Sequence, residues 1–249
     1  MAGIRRHKNF MSDISLKELI EAGAHFGHQS RRWNPKMEPY LYGIQEGVHV
    51  FDLTKTKKCL EEALEFLRKS ASEGKAIILI GTKKQAKDKV REVAEKVGCS
   101  YVSERWLGGT LTNFEQIKRS IDKLAKMKEE KASGGYQKFT KKERLLLQRE
   151  IDRLERFLGG LTALGAKPDV LVVVDTHKEV GVIKEAARMG LTTIGIVDSN
   201  SDPTVVDYPI PMNDDAAKAL EYVIEKFGEA ISEGKKKIKP DIKPKEVKK

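Results

Sequence analysis

Residues 25 to 43 read HFGHQSRRWNPKMEPYLYG and hold two kinds of side chain that could do chemistry. His25 and His28, three apart, could form half of a metal site. Arg31, Arg32, Trp33 and Lys36, followed by Tyr40 and Tyr42, could grip nucleic acid. Guanidinium offers phosphate a two-pronged donor, and a flat aromatic face accepts an unpaired base or sugar. The alternative for Trp33 is a core position whose rim the arginines solvate. For the histidines, no cysteine lies near and no further ligand is legible, whereas a closed zinc site takes four. They are expected instead to hydrogen-bond backbone or phosphate at the end of the first helix.

Other loops imitate catalytic sites. Asp175 and Asp198, with His177 and Lys83, have the residue types of a phosphotransfer or metal centre. The spacings do not support it. No GxxxxGK[ST] follows Gly81, and no GxGxxG occurs. Asp198-x-Asn200-x-Asp202 begins like a calcium loop, but Pro203 and Pro209 stand where that loop needs Gly and a bidentate Glu. Thr176-His177-Lys178-Glu179 reads as a helix-opening capping box, and the Asp198–Asp202 loop as a turn bonded to its own backbone. No nucleophile, base and orienter emerge together, so no catalytic residue and no cofactor is expected.

A chain of 249 residues with 39% apolar content can build one large α/β domain or two small ones. Its net charge of +10 points to a polyanionic partner, nucleic acid or an acidic membrane surface. The bland alternative is a solubilising surface. Residues 235–249 carry eight lysines and are read as a disordered Lys-rich tail; residues 1–14 are read as a basic N-terminal extension. Cys59 and Cys99 are read as reduced packing residues of a cytosolic protein. The longest aliphatic runs, AIILI and VLVVV, fall far short of the roughly 20 residues a membrane-spanning helix needs.

The elements that must position these residues alternate. A helix opened by Ser15-Leu-Lys-Glu18 precedes a hairpin turning at Glu46-Gly47 and a helix from about Lys55 to Ser72. Strands follow at 76–81, 100–106, 170–175, 192–198 and 207–212. Helices are expected at 84–97 and 179–189, and Asn213 is expected to cap a last one. Short aliphatic runs separated by helices read as a doubly wound, flavodoxin-like parallel sheet of five strands in three layers. Between the second and third strands, Phe114, Ile117, Ile121 and Leu124, then Leu147, Ile151, Leu154, Leu158 and Leu161, make apolar seams on charged helices. Thr112-Asn-Phe-Glu115 and Thr140-Lys-Lys-Glu143 are their capping boxes. The seams predict an antiparallel coiled-coil hairpin over 112–161, with arms of about 30 Å that reach a neighbour. Residues 15–111 and 162–234 then form a discontinuous α/β domain.

The blocks EAGAHFGHQSRRWNPKMEPYLYG, FDLTKT, IGTKKQA, RWLGGTLTNF and IVDSNSDPTVVDYPIPMNDDA, in this order from about Leu16 to Ile231, resemble the family of the second protein of the bacterial small ribosomal subunit. The coiled-coil insertion also falls where that family has it. The resemblance implies a structural constituent of the small subunit, not an enzyme. Such proteins sit in the cytoplasm, on the solvent side of the subunit near the junction of head and body. They bind small-subunit (16S) rRNA and neighbouring small-subunit proteins, and help dock the large mRNA-binding protein. No membrane and no small-molecule substrate is implied. Family members often begin close to the first helix, so residues 1–10 read as a basic extension or an upstream initiator. On this reading Arg31, Arg32, Lys36, Lys83, Lys84 and Arg105 neutralise phosphates and Trp33 and Trp106 pack beside them. Gly108 and Gly109 permit close backbone approach or the turn into the hairpin. The alternative is a phosphate-ligand enzyme or regulator using Asp175, Asp198 and Lys83.

Overall fold

The computed structural model describes residues 14–237, so most of the basic extension and the tail beyond Lys237 lie outside the described residues. Ile14 is already core, 1% exposed. Helix α1 (Leu16–Glu21) begins at Ser15, whose hydroxyl accepts the Glu18 N–H; the Ser15 N–H goes to Tyr222 Oη instead of completing the box. Gly23, at φ 78°, turns the chain out of the helix. The next element is a strand, β1 (Phe26–Gln29), so His28 lies within a strand instead of at a helix end. Strands β2 (Leu41–Gln45) and β3 (Val48–Phe51) form the expected hairpin. Glu46 and Gly47 both have positive φ, which a two-residue turn matched to strand twist requires. The three strands pair antiparallel in the order β1-β3-β2.

Helix α2 (Leu53–Ser72), capped by Asp52, leads into β4 (Ile77–Ile80), α3 (Lys87–Val97) and β5 (Ser100–Val102). Then come α4 (Phe114–Ala132), α5 (Lys141–Leu158), β6 (Val170–Val173), α6 (Val180–Met189), β7 (Thr192–Val197), β8 (Tyr208–Pro211) and α7 (Ala217–Lys236). The second sheet is parallel throughout, in the order β5-β4-β6-β7-β8. Numbered along the chain, its strands run 2-1-3-4-5, the flavodoxin-like order. Successive side chains of a strand point to opposite faces, and both faces are apolar. Ile77, Leu79, Val170, Val172, Ile194, Ile196 and Ile210 pack under α2, α3 and α7. Ile78, Ile80, Leu171, Val173 and Val197 pack with α6 and the near ends of α4 and α5.

Several local expectations are corrected. The strand expected over 100–106 stops at Val102, because Trp106 folds inward. Thr112 does not cap α4; Asn113 stands at the cap position without a side-chain bond, and the Thr112 N–H and hydroxyl face Glu185. Helix α6 starts at Val180, and Thr176 leaves its hydroxyl without a partner among the described residues. Asn213 makes a turn to Asp215 and holds the Gly23 carbonyl, while the cap position of α7 is Ala216, three residues later. Helix α7 runs into the expected tail as far as Lys236, and Lys235 Nζ caps α3 by donating to the Val97 and Gly98 carbonyls at 2.8 Å each.

Helices α4 and α5 share one apolar seam in two parts. Phe114, Ile121 and Leu158 belong to the second sheet core, whereas Leu124, Met127 and Ile151 form a separate cluster with Tyr136 and Leu147. Thr140 and Glu143 satisfy each other's N–H groups, the capping box expected there. Lys123 and Glu150 pair across the two helices at 3.1 Å.

Candidate nucleic-acid interface

The stretch 25–43 is pinned to the carboxyl end of β7. A Cβ on Gly27 would lie 2.8 Å from Ser199 Oγ and 3.1 Å from the His49 carbonyl, so only glycine lets β1 approach this closely. The backbone N–H groups of His28 and Asn34 then reach Ser199 Oγ and Ser199 O at 2.7 Å each. Asn34 Oδ1 accepts the Lys36 N–H and shapes the turn of 3-10 helix over Pro35–Tyr40, which buries Met37 completely.

On this platform Arg31 and Arg32 stand exposed. Arg31 bonds Gln29 within the stretch, and Arg32 has no partner among the described residues. Trp33 stacks on His49, ring centroids 4.9 Å apart, and is half-buried, with part of its surface open. Lys36 pairs with Asp202 at 2.5 Å in an exposed position; such a pair is weak and exchangeable. Lys84 and Arg105, off the carboxyl ends of β4 and β5, are exposed and have no partner among the described residues. By topology, these cations and the Arg31–Lys36 stretch all lie at one end of the sheet.

Two residues of the expected set do not belong to this surface. Lys83 is held inside, 2.6 Å from Asp214 and Asp215 and 3.5 Å from Asp175. Burial opposes its charge, but these carboxylates outweigh burial and raise its pKa. Trp106 is 8% exposed and donates its indole N–H to Glu185 at 3.3 Å, so its faces are core faces.

Glu185 was missed in the sequence. Its Oε1 accepts Gly109 N–H at 2.7 Å and its Oε2 accepts Leu111 N–H at 3.0 Å, so one buried carboxylate folds the whole RWLGGTLTN loop. Burial pushes its pKa up, yet the bonds from Gly109, Leu111, Trp106 and Thr112 win and hold it below the usual glutamate range. The one available signal was a Glu interrupting the apolar stripe Val182, Ile183, Ala186 of α6.

Beside the cations lies a buried acidic centre. Asp175 follows β6, Asp198 follows β7 and Asp214 follows β8, so parallel topology alone gathers them. Asp198 Oδ1 accepts Ser199 N–H, its Oδ2 accepts Asp214 N–H at 3.0 Å, and it lies 3.0 Å from His28 Nδ1. Burial disfavours its charge, but His28 and these N–H groups keep it low. The Asp198 carboxylate beside the ring raises the His28 pKa. Burial, then the charges of Asp198 and Asp175, push Asp214 up to about 8 against the pull of Lys83. Of the residues weighed as a catalytic imitation, Asp175, Asp198 and Lys83 do meet, while His177 points to solvent. His25 also stays out, its ring resting on Phe26.

The molecule is therefore a doubly wound α/β scaffold with exposed cations beyond the carboxyl ends of its strands. A family model described as Ribosomal protein S2 matches residues 19–234. The small ribosomal subunit protein uS2 of a Nitratiruptor species is 45% identical over 222 residues, covering 89% of this chain and 83% of that protein. The chain belongs to the ribosomal protein S2 family, of bacterial type. It is a non-enzymatic protein of translation, and its place is the small ribosomal subunit in the cytoplasm. Among the described residues no helix is long and apolar enough to cross a membrane.

Proposed function

We propose that this protein binds small-subunit rRNA in a shape-directed way, through cations that the fold holds rigid at the carboxyl end of its parallel sheet. Arg31, Arg32, Lys84 and Arg105 neutralise phosphates, Lys36 exchanges its Asp202 partner for one, and the open side of Trp33 packs against sugar or base. The observation that carries this is the exposure of Arg32, Lys84 and Arg105 without a partner among the described residues, on backbone fixed by Ser199 and Glu185. Lys83 and Trp106 act behind the surface, holding its loops.

Residues 112–161 form a coiled-coil arm on a discontinuous α/β domain made of 15–111 and 162–234. The apolar cluster Leu124, Met127 and Ile151, separate from the sheet core, supports the arm as a unit. The arm and the sheet domain contact neighbouring proteins of the subunit, the large mRNA-binding protein among them.

The test is the salt dependence of binding of the full-length protein to 16S rRNA. Each true phosphate contact contributes roughly 0.7 to 0.9 to the slope of log affinity against log salt. Replacing Arg32, Lys84 and Arg105 together by Ala is expected to flatten that slope by about 2. An unchanged slope would remove this surface from the interface.

A further inference from the structure

We propose that His28, Asp198 and Asp214 bind a divalent transition-metal ion, zinc in the first instance, which clamps β1 to the carboxyl ends of β7 and β8. A ligating atom from each of the three residues lies within 4.8 Å of the others. Donors bound to one zinc at about 2.0–2.2 Å stand about 3–3.5 Å apart, so small side-chain shifts close the set.

Three observations point to a cation beyond the groups already present. The first is charge. Asp175, Asp198 and Asp214 are buried to 9% side-chain exposure or less, and Lys83 is the buried ammonium that faces them. Three carboxylates thus crowd one ammonium in a low-dielectric place, a costly state that a divalent ion relieves. The second is the histidine. His28 Nδ1 is buried and finds no well-aligned hydrogen-bond partner among the described residues, although Asp198 Oδ1 lies 3.0 Å away. The third is Asp214. Its Oδ1 takes the Lys83 ammonium at 2.6 Å, and no hydrogen-bond donor among the described residues reaches its Oδ2.

The surroundings have the form of an outer ligand shell. Lys83 orients the Asp214 carboxylate, the Ser199 and Asp214 N–H groups orient Asp198, and His28 Nε2 faces Asp215 Oδ2 at 3.7 Å and the Asn200 amide at 3.3 Å. Asp215, half-exposed at the rim, or a water completes the coordination. One imidazole among carboxylates selects zinc over magnesium and calcium, which prefer oxygen throughout. The site is independent of the RNA surface proposed above.

The experiment takes the full-length protein, strips it with chelator, desalts it and titrates zinc sulfate, reading bound metal by elemental analysis and stability by thermal melting. One equivalent of zinc, a raised melting temperature and no shift with millimolar magnesium are expected. His28→Gln and Asp214→Asn should lose that equivalent while keeping the wild-type circular dichroism, and His25→Gln should keep it. No stoichiometric uptake by wild type overturns the site, as does undiminished uptake by both variants. In case the variants misfold, cobalt replaces zinc in the wild-type chain. Ligand-field absorption without thiolate charge transfer supports nitrogen and oxygen donors, whereas thiolate charge transfer puts the ion on a cysteine and overturns the assignment.

Discussion

At the residue scale, Glu185 and Lys83 act as charges turned inward. Glu185 gathers four donors, the Trp106 indole and the N–H groups of Gly109, Leu111 and Thr112. Replacing it by Ala strands those donors in a buried place, and a loss of at least about 2 kcal/mol is expected in urea unfolding. Its folded-state pKa is depressed, so the unfolded chain binds the proton more readily. This contribution is complete above the ordinary glutamate range and fades as pH falls through that range toward the folded value. Glu185→Gln is therefore expected to show a shallower acid-side decline in melting temperature than wild type; equal declines would remove Glu185 from the acid transition. Lys83 and Arg105 look alike as basic residues after a strand, yet only Arg105 faces solvent.

At the element scale, two identical-looking motifs had different fates. Thr140 to Glu143 forms the reciprocal capping box, while Thr112 to Glu115 does not, because Glu185 takes the Thr112 groups. Thr140→Ala is expected to destabilise α5 by about 1 kcal/mol, visible as faster amide exchange over 141–146. Unchanged exchange there would mean that the box adds nothing. Close packing sets a second test. A Cβ on Gly160 would meet the Tyr101 carbonyl at 2.3 Å and its ring at 2.7 Å. Gly160→Ala must push β5 away from the turn that follows α5, so a melting temperature several degrees lower is expected, and a neutral result would contradict this packing.

At the scale of the whole molecule, the sheet sorts its side chains into two cores while the far parts of α4 and α5 keep a third small one. Replacing residues 123–152 by a short glycine-containing loop removes the third cluster and spares Phe114, Ile121, Leu158 and Leu161. The truncated protein is expected to unfold in one transition with a smaller urea m-value, as less surface is exposed. Loss of cooperative unfolding would show that the far parts of α4 and α5 and the sheet are one unit. The parallel order also explains why the cations and the acidic centre share one end: every strand of a doubly wound sheet delivers its carboxyl end to the same side.

The sequence by itself determined the alternation of strands and helices, the Glu46-Gly47 turn and the paired seams of α4 and α5. Period and turn chemistry are local, so a single chain displays them. The family blocks were legible for the same reason, and so were Arg32, Lys84 and Arg105 as exposed cations. Only the tertiary structure decided that β1 is a strand, that Trp106 and Lys83 face inward, and that His28 meets Asp198 and Asp214 instead of His25. The contacts of Trp106, Lys83 and His28 join residues 79, 131 and 171 positions apart, and no local spacing encodes them. They exist because strand order and a glycine-permitted approach bring distant loops to one point, where buried charges must find partners.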